Sequence, residues 1–254
     1  MIKFMDGKLK VLIYQDVALL AKAVANTVRN TINSMLKEKD EINIVFSGAK
    51  SQQAFHVELA KFKDIDWKRI NAYAVDEFYC PRMSAEYTVA QQPIRDLYSV
   101  VSPRSVNIMN YKADDPETER KRYEDLIRSH PADIACLGIG ISGHIALNEP
   151  GQTNFNDELS VRVVNITEKS KHQLMNDANF MKLGFIPDKG ITITLSELMR
   201  CPNIYVIVPF IEKAGIVKEF FENGITADLP ASIVKNKENA VMFLDYNSYG
   251  LCKK

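Results

Sequence analysis

The sequence predicts an α/β fold: a single-domain, doubly wound (Rossmann-like) and mostly parallel sheet with helices on both faces. Two observations predict it. Short, uniformly apolar segments alternate with longer amphipathic ones, and no linker, repeat or shift in composition interrupts the 254 residues. Uniformly apolar strands are typical of parallel sheets that are covered on both faces. We therefore treat residues 1–254 as one domain.

The strands and helices follow from the spacing of the apolar residues. Apolar runs predict strands at residues 10–14, 42–46, 70–75, 106–109, 134–137, 161–166, 191–195, 204–208 and 240–244. Apolar residues recurring every three or four positions predict helices at residues 16–37, 52–61, 84–97, 118–129 and 213–221. Ligands of doubly wound sheets bind beyond the carboxyl ends of the strands. We therefore expect the site at the segments that follow strands, residues 47–51, 76–77, 138–150 and 209–213.

Composition argues against several classes of protein. The 32 Lys and Arg residues are balanced by 32 Asp and Glu residues, whereas nucleic-acid binders usually carry a basic excess. No apolar run approaches the ~18 residues of a membrane helix, and the first residues do not resemble a signal peptide. The four cysteines lie far apart and lack metal-ligand spacing. We expect reduced thiols in a cytoplasmic protein, without a metal site.

Residues 138–143 formally match the dinucleotide-binding pattern GxGxxG after a strand. That pattern must open a helix whose N-terminus meets the pyrophosphate, and Pro150 and Gly151 follow too soon for one. A glycine-rich turn packed on the sheet is one interpretation. His144 and Glu149 lie in the same loop, however, and a His beside a carboxylate is suited to proton transfer near neutral pH.

Three other strand ends carry candidate residues, each with a structural alternative. A carboxylate at Asp76 is costly to bury unless it is paired or used, and a salt-bridged acid is the alternative. Residues 47–51 can turn N–H groups and hydroxyls toward a phosphate, or form a plain connecting turn. Lys213 is unfavourable at a helix N-terminus, which fits an anionic ligand, although a solvated lysine also accounts for it.

In combination, these segments resemble the glucosamine-6-phosphate deaminase/isomerase family. Residues 137–151, LGIGISGHIALNEPG, are similar to the family pattern GxGxDGHIAFNEP, and Val75-Asp76-Glu77-Phe78 is similar to (L/M)DE(Y/W). Residues 230–232 and 242–245 resemble the C-terminal end of the family pattern. The related 6-phosphogluconolactonases share the GHxA loop but lack the NEP tripeptide, so residues 148–150 argue against that branch.

The resemblance implies an enzyme that isomerises an amino-hexose 6-phosphate (glucosamine or galactosamine 6-phosphate) to a ketohexose 6-phosphate and releases ammonia. It implies no metal or organic cofactor, and neither nucleic acid nor membrane as a partner. Asp76 is then the base that takes the proton from sugar C2 and returns it at C1, and His144 opens the ring with Glu149 and Ser142 beside it. The implied phosphate ligands are Ser47, Gly48, Ala49, Lys50, Ser51 and Lys213. The other implied substrate-binding residues are Glu77, Gly140 and Gly143.

The sequence departs from the family pattern at three places. Ser142 stands where the family has Asp, so His144 loses a carboxylate partner, and we expect slower ring opening or an altered substrate. The phosphate loop reads SGAKS rather than TGGTP-like. The family's phosphate-binding Arg after Thr167 is absent, and Lys169, Lys171 and His172 occur there instead. These changes resemble the galactosamine-6-phosphate isomerase branch and leave the sugar epimer open.

By the same resemblance, residues 168–184 are expected to form a mobile lid over the site. Two other functions stay open. One is a catalytically weakened sugar-phosphate sensor on the same fold, favoured by Ser142. The other is a 6-phosphogluconolactonase-like hydrolase. The family includes monomers and hexamers, so a homo-oligomer is compatible with the sequence.

Overall fold

The computed structural model describes residues 1–175 and 178–252. The strands of this part are β1 (Ile2–Asp6), β2 (Leu9–Tyr14), β3 (Ile42–Phe46), β4 (Ile70–Ala74), β5 (Asp76–Tyr79), β6 (Ser105–Asn107), β7 (Ile134–Leu137), β8 (Val161–Asn165), β9 (Lys189–Ile193), β10 (Asn203–Val208) and β11 (Ala240–Asp245). The helices are α1 (Val17–Met35), α2 (Lys50–Leu59), α3 (Gln91–Pro93), α4 (Ser99–Val101), α5 (Pro116–Ser129), α6 (Glu168–Met175), α7 (Ala178–Leu183), α8 (Leu195–Leu198) and α9 (Ala214–Glu222).

The main sheet has the strand order β1-β2-β11-β10-β7-β3-β4-β6. From β2 to β6 every neighbouring pair is parallel, and only β1 joins the sheet antiparallel, by pairing with β2. The chain order reverses between β3 and β7, since β4 and β6 lie outward from β3 while β10 and β11 lie outward from β7. Ligands bind at such a switch point in open α/β sheets. The prediction of a mostly parallel, doubly wound sheet is confirmed.

Apolar side chains cover both faces of the main sheet. On one face α1 and α2 pack through residues such as Val28 and Phe55. The other face packs against α5, α9 and a separate three-stranded sheet, and Phe220 of α9 and Ile191 of β9 belong to that cluster. The three-stranded sheet has the order β5-β9-β8 and is antiparallel throughout. The predicted helices on both faces are therefore present.

The small sheet is the main difference from the sequence prediction. Residues 161–166 and 191–195 do form strands, but these pair antiparallel with each other and with β5 outside the main sheet. The strand predicted at residues 70–75 ends at Ala74, and the chain enters the second sheet at Asp76. Apolar runs alone do not report which sheet a strand joins, because both sheets bury these side chains.

One local prediction also changes. The helix predicted at residues 84–97 is instead a 3₁₀ turn (Ala85–Tyr87) followed by α3, a π-helical turn (Ile94–Tyr98) and α4. Pro93 contributes to this irregularity because it lacks a backbone donor. Residues 138–160 contain turns and an isolated β-bridge but no helix, so no helix N-terminus follows the GxGxxG pattern. Within the described chain, no helix is both long and apolar enough to span a membrane.

Candidate active site

Most of the predicted site residues meet in one cavity at the switch point. This cavity has a volume of about 160 Å³. It is lined by Ser47, Gly48, Ala49, Ser51, Asp76, Gly138, Ile139, Gly140, His144, Ala146 and Lys213. The segments after β3, β4, β7 and β10 all contribute, as expected for parallel strands whose carboxyl ends share one edge. A larger cavity of about 490 Å³ lies elsewhere, around Tyr79–Arg82 and residues 186–189, and contains none of the predicted residues.

One end of the cavity is the loop from β3 into α2. Ala49 caps α2 without a side-chain hydrogen bond, and the Gln52 N–H donates to the Ala49 carbonyl at 2.8 Å, so the N–H groups of Lys50 and Ser51 remain available to an anion. Gly48 lies so close to the segment before α3 that a Cβ there would approach the Val89 carbonyl oxygen to 2.1 Å. Only glycine allows the backbone at position 48 to lie this close to Val89 beside the cavity.

Gln52 supports this loop and was missed by the sequence reasoning. The fully buried side chain donates from Nε2 to Ser51 Oγ at 3.2 Å and to the carbonyls of Leu137 and Ile207 at 3.5 and 3.4 Å. It therefore links the start of α2 to the ends of β7 and β10. No local pattern indicates such a residue, because its partners lie 85 and 155 positions away.

Lys213 reaches the same end of the cavity from the turn before α9. Burial lowers the pKa of its ammonium group to about 8, and the neighbouring Glu212 partly opposes that shift. Lys213 forms no ion pair with any residue in the described part of the chain. A partly buried cation without an anionic partner is a candidate ligand for a phosphate.

The turn that carries Lys213 is held by a residue outside the cavity. Phe210 adopts a φ of 83°, a region that non-glycine residues rarely occupy. Its N–H donates at 3.2 Å to the carboxylate of Asp245, which is fully buried at the end of β11. The ring of Phe210 also lies 5.4 Å below the ammonium of Lys50. Lys50 is exposed and does not line the cavity, although it was predicted as a phosphate ligand.

Asp76 begins β5 at the point where the chain leaves the main sheet. The side chain is 8% exposed and lines the cavity. Burial raises the pKa of Asp76 to about 7, and the nearby His144 lowers it in part. Among the described residues none donates a hydrogen bond to this carboxylate. A carboxylate with a pKa near neutrality and no hydrogen-bond donor is suited to accept and return a proton.

Glu77 faces away from the cavity. Its Oε1 accepts from the N–H groups of Phe78 at 2.9 Å and Val89 at 2.8 Å, and Oε2 accepts from Ala90 at 3.0 Å. The side chain is 1% exposed. Instead of contacting the cavity, Glu77 fixes the backbone of Val89, which packs on Gly48. Glu77 is predicted as a substrate ligand but does not line the cavity, and it supports the loop of residues 47–51 instead.

His144 and Glu149 form a hydrogen-bonded pair at the other end of the cavity. His144 Nδ1 lies 3.0 Å from Glu149 Oε1 and 2.6 Å from Ser142 Oγ, and that hydroxyl donates to Glu149 Oε2 at 2.8 Å. Because a carboxylate only accepts, Nδ1 carries the proton and Nε2 is the free nitrogen. A Cβ on Gly140 would lie 2.0 Å from Nε2, so only glycine leaves room for the imidazole.

Glu149 is the most fully bonded member of this group. Burial opposes its ionisation, but hydrogen bonds from His144, Ser170 and Ser142 outweigh that effect and lower the pKa of Glu149. Ser170 belongs to α6 and donates to Oε1. The sequence reasoning missed Ser170, because only the fold brings it beside a loop 21 positions earlier in the chain.

Gly143 is a predicted site residue that shapes the loop rather than lining the cavity, and Asn148, which was not predicted as a site residue, also holds this loop. Gly143 has a φ of +85°, and a Cβ there would approach Leu229 Cδ1 to 2.4 Å. Asn148 donates to the carbonyls of Ile145 at 3.0 Å and Ile193 at 2.9 Å. It thereby anchors the loop to the small sheet and holds the neighbouring Glu149 beside Nδ1 of His144.

The predicted lid, residues 168–184, corresponds to α6 and α7, with residues 176 and 177 outside the described residues. In this structure Phe180 of α7 packs on Phe78 of β5 with ring centroids 5.3 Å apart. Ser170 of α6 is 6% exposed. The segment therefore lies beside the site, and its mobility stays a prediction.

Comparison with known families gives a match over most of the chain. Residues 15–243 match the model of the glucosamine-6-phosphate isomerases/6-phosphogluconolactonase family. A glucosamine-6-phosphate deaminase of Bacillus cereus is 27% identical over 227 residues, which cover 88% of this chain and 83% of that protein. A glucosamine-6-phosphate deaminase of Oenococcus oeni is 34% identical over 145 residues, which cover 57% of this chain and 59% of that protein.

Solved structures give the same picture of the fold. A monomeric glucosamine-6-phosphate deaminase superposes with a TM-score of 0.83 at 25% identity, covering 95% of this chain and 99% of that chain. A 6-phosphogluconolactonase from Thermotoga maritima superposes with a TM-score of 0.70 at 24% identity, covering 92% of this chain and 98% of that chain. The second likeness concerns the fold alone.

Proposed function

The chain belongs to the family of glucosamine-6-phosphate isomerases and 6-phosphogluconolactonases, and from that membership we propose that it isomerises and deaminates an amino-hexose 6-phosphate. The products are a ketohexose 6-phosphate and ammonia, with one water consumed. The observation that carries the proposal is that Asp76, His144 and Lys213 line a single cavity. A proton-accepting carboxylate, an imidazole and a cation are the groups that this reaction needs.

Binding begins at the phosphate end. The N-terminus of α2, the hydroxyls of Ser47 and Ser51, and the ammonium of Lys213 supply donors and positive charge for the 6-phosphate. Anchoring the phosphate fixes the distance from C6 to the reacting carbons. The sugar ring then extends from the phosphate loop toward Asp76 and His144.

Ring opening is assigned to His144. Its free Nε2 takes the proton from the hydroxyl on C1 and returns a proton to the ring oxygen, which leaves an aldehyde at C1. Glu149 holds Nδ1–H and stabilises the imidazolium that forms between the two transfers. The hydroxyl of Ser142 contributes orientation but no charge, which supports slower ring opening than an Asp at that position gives.

Isomerisation is assigned to Asp76. Its carboxylate removes the proton on C2 while the aldehyde oxygen on C1 is protonated, which gives an enolamine; it then delivers the C2 proton to C1 as the amino nitrogen loses a proton, which balances the one gained by oxygen. The product is an imine at C2, which water hydrolyses to the ketone and ammonia. A pKa near 7 suits both halves of the transfer, because the group accepts and releases the proton with similar ease.

A 6-phosphogluconolactonase-like hydrolase is the second candidate, because structures of that activity share the fold. In that case His144 activates a water at the lactone carbonyl, and Asp76 has no proton to carry between carbons. The tripeptide Asn148-Glu149-Pro150 favours the deaminase. A sugar-phosphate sensor without turnover is the third outcome. In each case we expect a phosphorylated sugar as the partner in the cytoplasm, and neither nucleic acid nor a membrane.

The direct test is ammonia release from glucosamine 6-phosphate and, in parallel, from galactosamine 6-phosphate, with 6-phosphogluconolactone hydrolysis as a third assay. We expect ammonia from at least one amino sugar, and the preferred sugar identifies the epimer at C4. Lactone hydrolysis without ammonia supports the second candidate. Binding of an amino-sugar phosphate without any turnover supports the sensor.

A further inference from the structure

We propose that Ser170 of α6 is a positioning residue that sets the proton affinity of His144 through Glu149. The inference rests on the proposed function only for its effect on turnover, since the effect on His144 itself is independent of any substrate. Helix α6 then contributes directly to proton transfer in addition to lying beside the cavity.

The geometry that carries the proposal is the sharing of one carboxylate. Glu149 Oε1 accepts from both Ser170 Oγ and His144 Nδ1, while Oε2 accepts from Ser142 Oγ. Glu149 and Ser170 are 2% and 6% exposed, so solvent competes little for these bonds. Ser170 is itself held at the start of α6, where its N–H donates to Thr167 Oγ1 at 3.2 Å.

A hydroxyl that donates to the same carboxylate oxygen competes with the imidazolium for its charge. Each donor to Oε1 disperses negative charge and weakens the attraction between Glu149 and protonated His144. Removing the Ser170 hydroxyl therefore makes Glu149 a stronger partner and raises the pKa of His144. Withdrawal of α6 from Glu149 has the same effect, which links the position of the predicted lid to the protonation of the imidazole.

The other charged groups around His144 have no hydrogen bond to Ser170 in the described part of the chain. Asp76 faces it from β5, and Lys213 faces the same cavity from the turn before α9. Neither contacts Ser170. On α6, Lys171 pairs instead with Glu168 and with Asp188 at 2.9 Å. A change at Ser170 therefore reaches His144 through Glu149.

The experiment follows the titration of the His144 ring protons by NMR in the full chain, with the signal assigned by its loss in His144→Gln. In Ser170→Ala we expect the midpoint to rise by about half a pH unit to one unit. Ser170→Thr keeps the hydroxyl and should titrate like the wild type. Ser129→Ala is the matched control, because Ser129 Oγ is exposed and bonds only its own helix at Asp125.

The Glu149→Gln background separates a specific effect from loosening of the helix. In that background Ser170→Ala should leave the His144 midpoint where Glu149→Gln alone places it, because the charge through which Ser170 acts is gone. An unchanged midpoint in Ser170→Ala, or an equal shift with and without Glu149, overturns the proposal. Kinetics add a second readout: where ring opening limits the rate, kcat should rise by up to about threefold because the imidazolium is better stabilised, and KM should change less than about twofold.

The two proposals fail separately. If the wild type releases no ammonia yet the His144 midpoint moves as expected, the proposed activity is wrong and the role of Ser170 stands. If ammonia is released but the midpoint does not move, the activity stands and Ser170 is only a structural contact of α6.

Discussion

The two ends of the cavity differ in how completely their polar groups are bonded. At the imidazole end, Glu149 accepts hydrogen bonds from Ser142, Ser170 and His144, so its carboxylate oxygens are bonded before any substrate arrives. At the proposed phosphate end, Lys213 has no ion pair within the described chain, and burial lowers its pKa. One end is complete in the free protein, and the other is left for a ligand to complete.

The difference separates orientation from affinity. Groups that transfer protons need fixed geometry, which hydrogen bonds within the protein provide before binding. A group that binds an anion contributes most when the anion replaces a missing partner, because a desolvated cation gains more from pairing than a paired one. Asp76 lines the same cavity and resembles Lys213, since it is buried and its carboxylate receives no hydrogen bond from the described residues.

The largest effect is expected from Asp76→Asn, which removes the base but keeps the shape. The ammonia-release rate should fall by about 10²- to 10⁴-fold, with KM nearly unchanged. Asp228→Asn, the same change at an exposed acid, is the matched control. Full activity in Asp76→Asn contradicts the assignment of the base.

The same substitution should stabilise the fold. The folded pKa of Asp76, about 7, lies above its ordinary value of 3.8, so the folded state holds a proton that the unfolded state releases between those values. Wild-type stability therefore falls relative to Asp76→Asn as pH rises from about 4 to 7, by at most about 4 kcal/mol. Urea unfolding at pH 4 and pH 8 measures this, and a stability difference that does not grow with pH contradicts the burial argument.

Substitution of Lys213 tests the incomplete end. Lys213→Met should raise KM for the phosphorylated sugar by about 10- to 100-fold, because one charge-assisted hydrogen bond to phosphate is lost. Lys213→Arg preserves the charge and should retain most of the affinity. The comparison is made on inhibition by inorganic phosphate as well as on KM. Equal phosphate affinity in the Met and Arg variants would contradict the assignment of Lys213 as a phosphate ligand.

The pH profile distinguishes the two buried groups. Asp76 must be ionised to act as a base and Lys213 must be charged to bind phosphate, so kcat/KM should be greatest between the pKa values of about 7 and 8. Above pH 8 affinity should fall up to about tenfold per unit as Lys213 loses its proton. In Lys213→Arg the alkaline limb should move to higher pH, and an unmoved limb assigns it to another group.

Glu77→Gln probes the support of the phosphate loop. The amide cannot accept at both positions, so the backbone of Val89 should lose a bond and Gly48 its fixed neighbour. We expect KM to rise by about three- to tenfold with a smaller change in kcat. Glu86→Gln is the control, since Glu86 is exposed in the same segment. A fall in kcat with unchanged KM places Glu77 in the chemistry instead.

Ser142→Asp should have the smallest effect, because it alters an end of the cavity that is already bonded. The added carboxylate stabilises the imidazolium form of His144. Where ring opening limits the rate, turnover should increase less than about tenfold. Pre-steady-state ring opening measures this, and a slower step shows that the hydroxyl is better adapted to this site than a carboxylate.

The sequence predicted the main sheet and most of the cavity because both depend on local patterns. Short apolar strands reported the parallel sheet, and the residues after them converge by topology, as Asp76, His144 and Lys213 do. The small antiparallel sheet was not predicted, since a run such as residues 191–195 is equally apolar in either sheet. Pairing is a long-range property, and β5 changes sheets within two residues of β4.

The supporting contacts of the site were also beyond local reasoning. Ser170 reaches Glu149 only because α6 packs beside the loop, and Gln52 bonds carbonyls on strands far along the chain. Glu77 was assigned to the substrate from its place beside Asp76. Successive residues of a strand face opposite sides, so the neighbour of a cavity residue points away from the cavity.

The most direct measurement is the fate of the C2 proton. The wild type and Asp76→Asn are incubated in D₂O with the preferred amino-hexose 6-phosphate, and the ketohexose 6-phosphate and ammonia are followed by NMR. We predict one deuterium or transferred proton at C1 of each product molecule formed by the wild type, together with equimolar ammonia, and neither product at a comparable rate from Asp76→Asn. Ammonia release that persists in Asp76→Asn, or the absence of the ketohexose from the wild type, contradicts the proposed reaction.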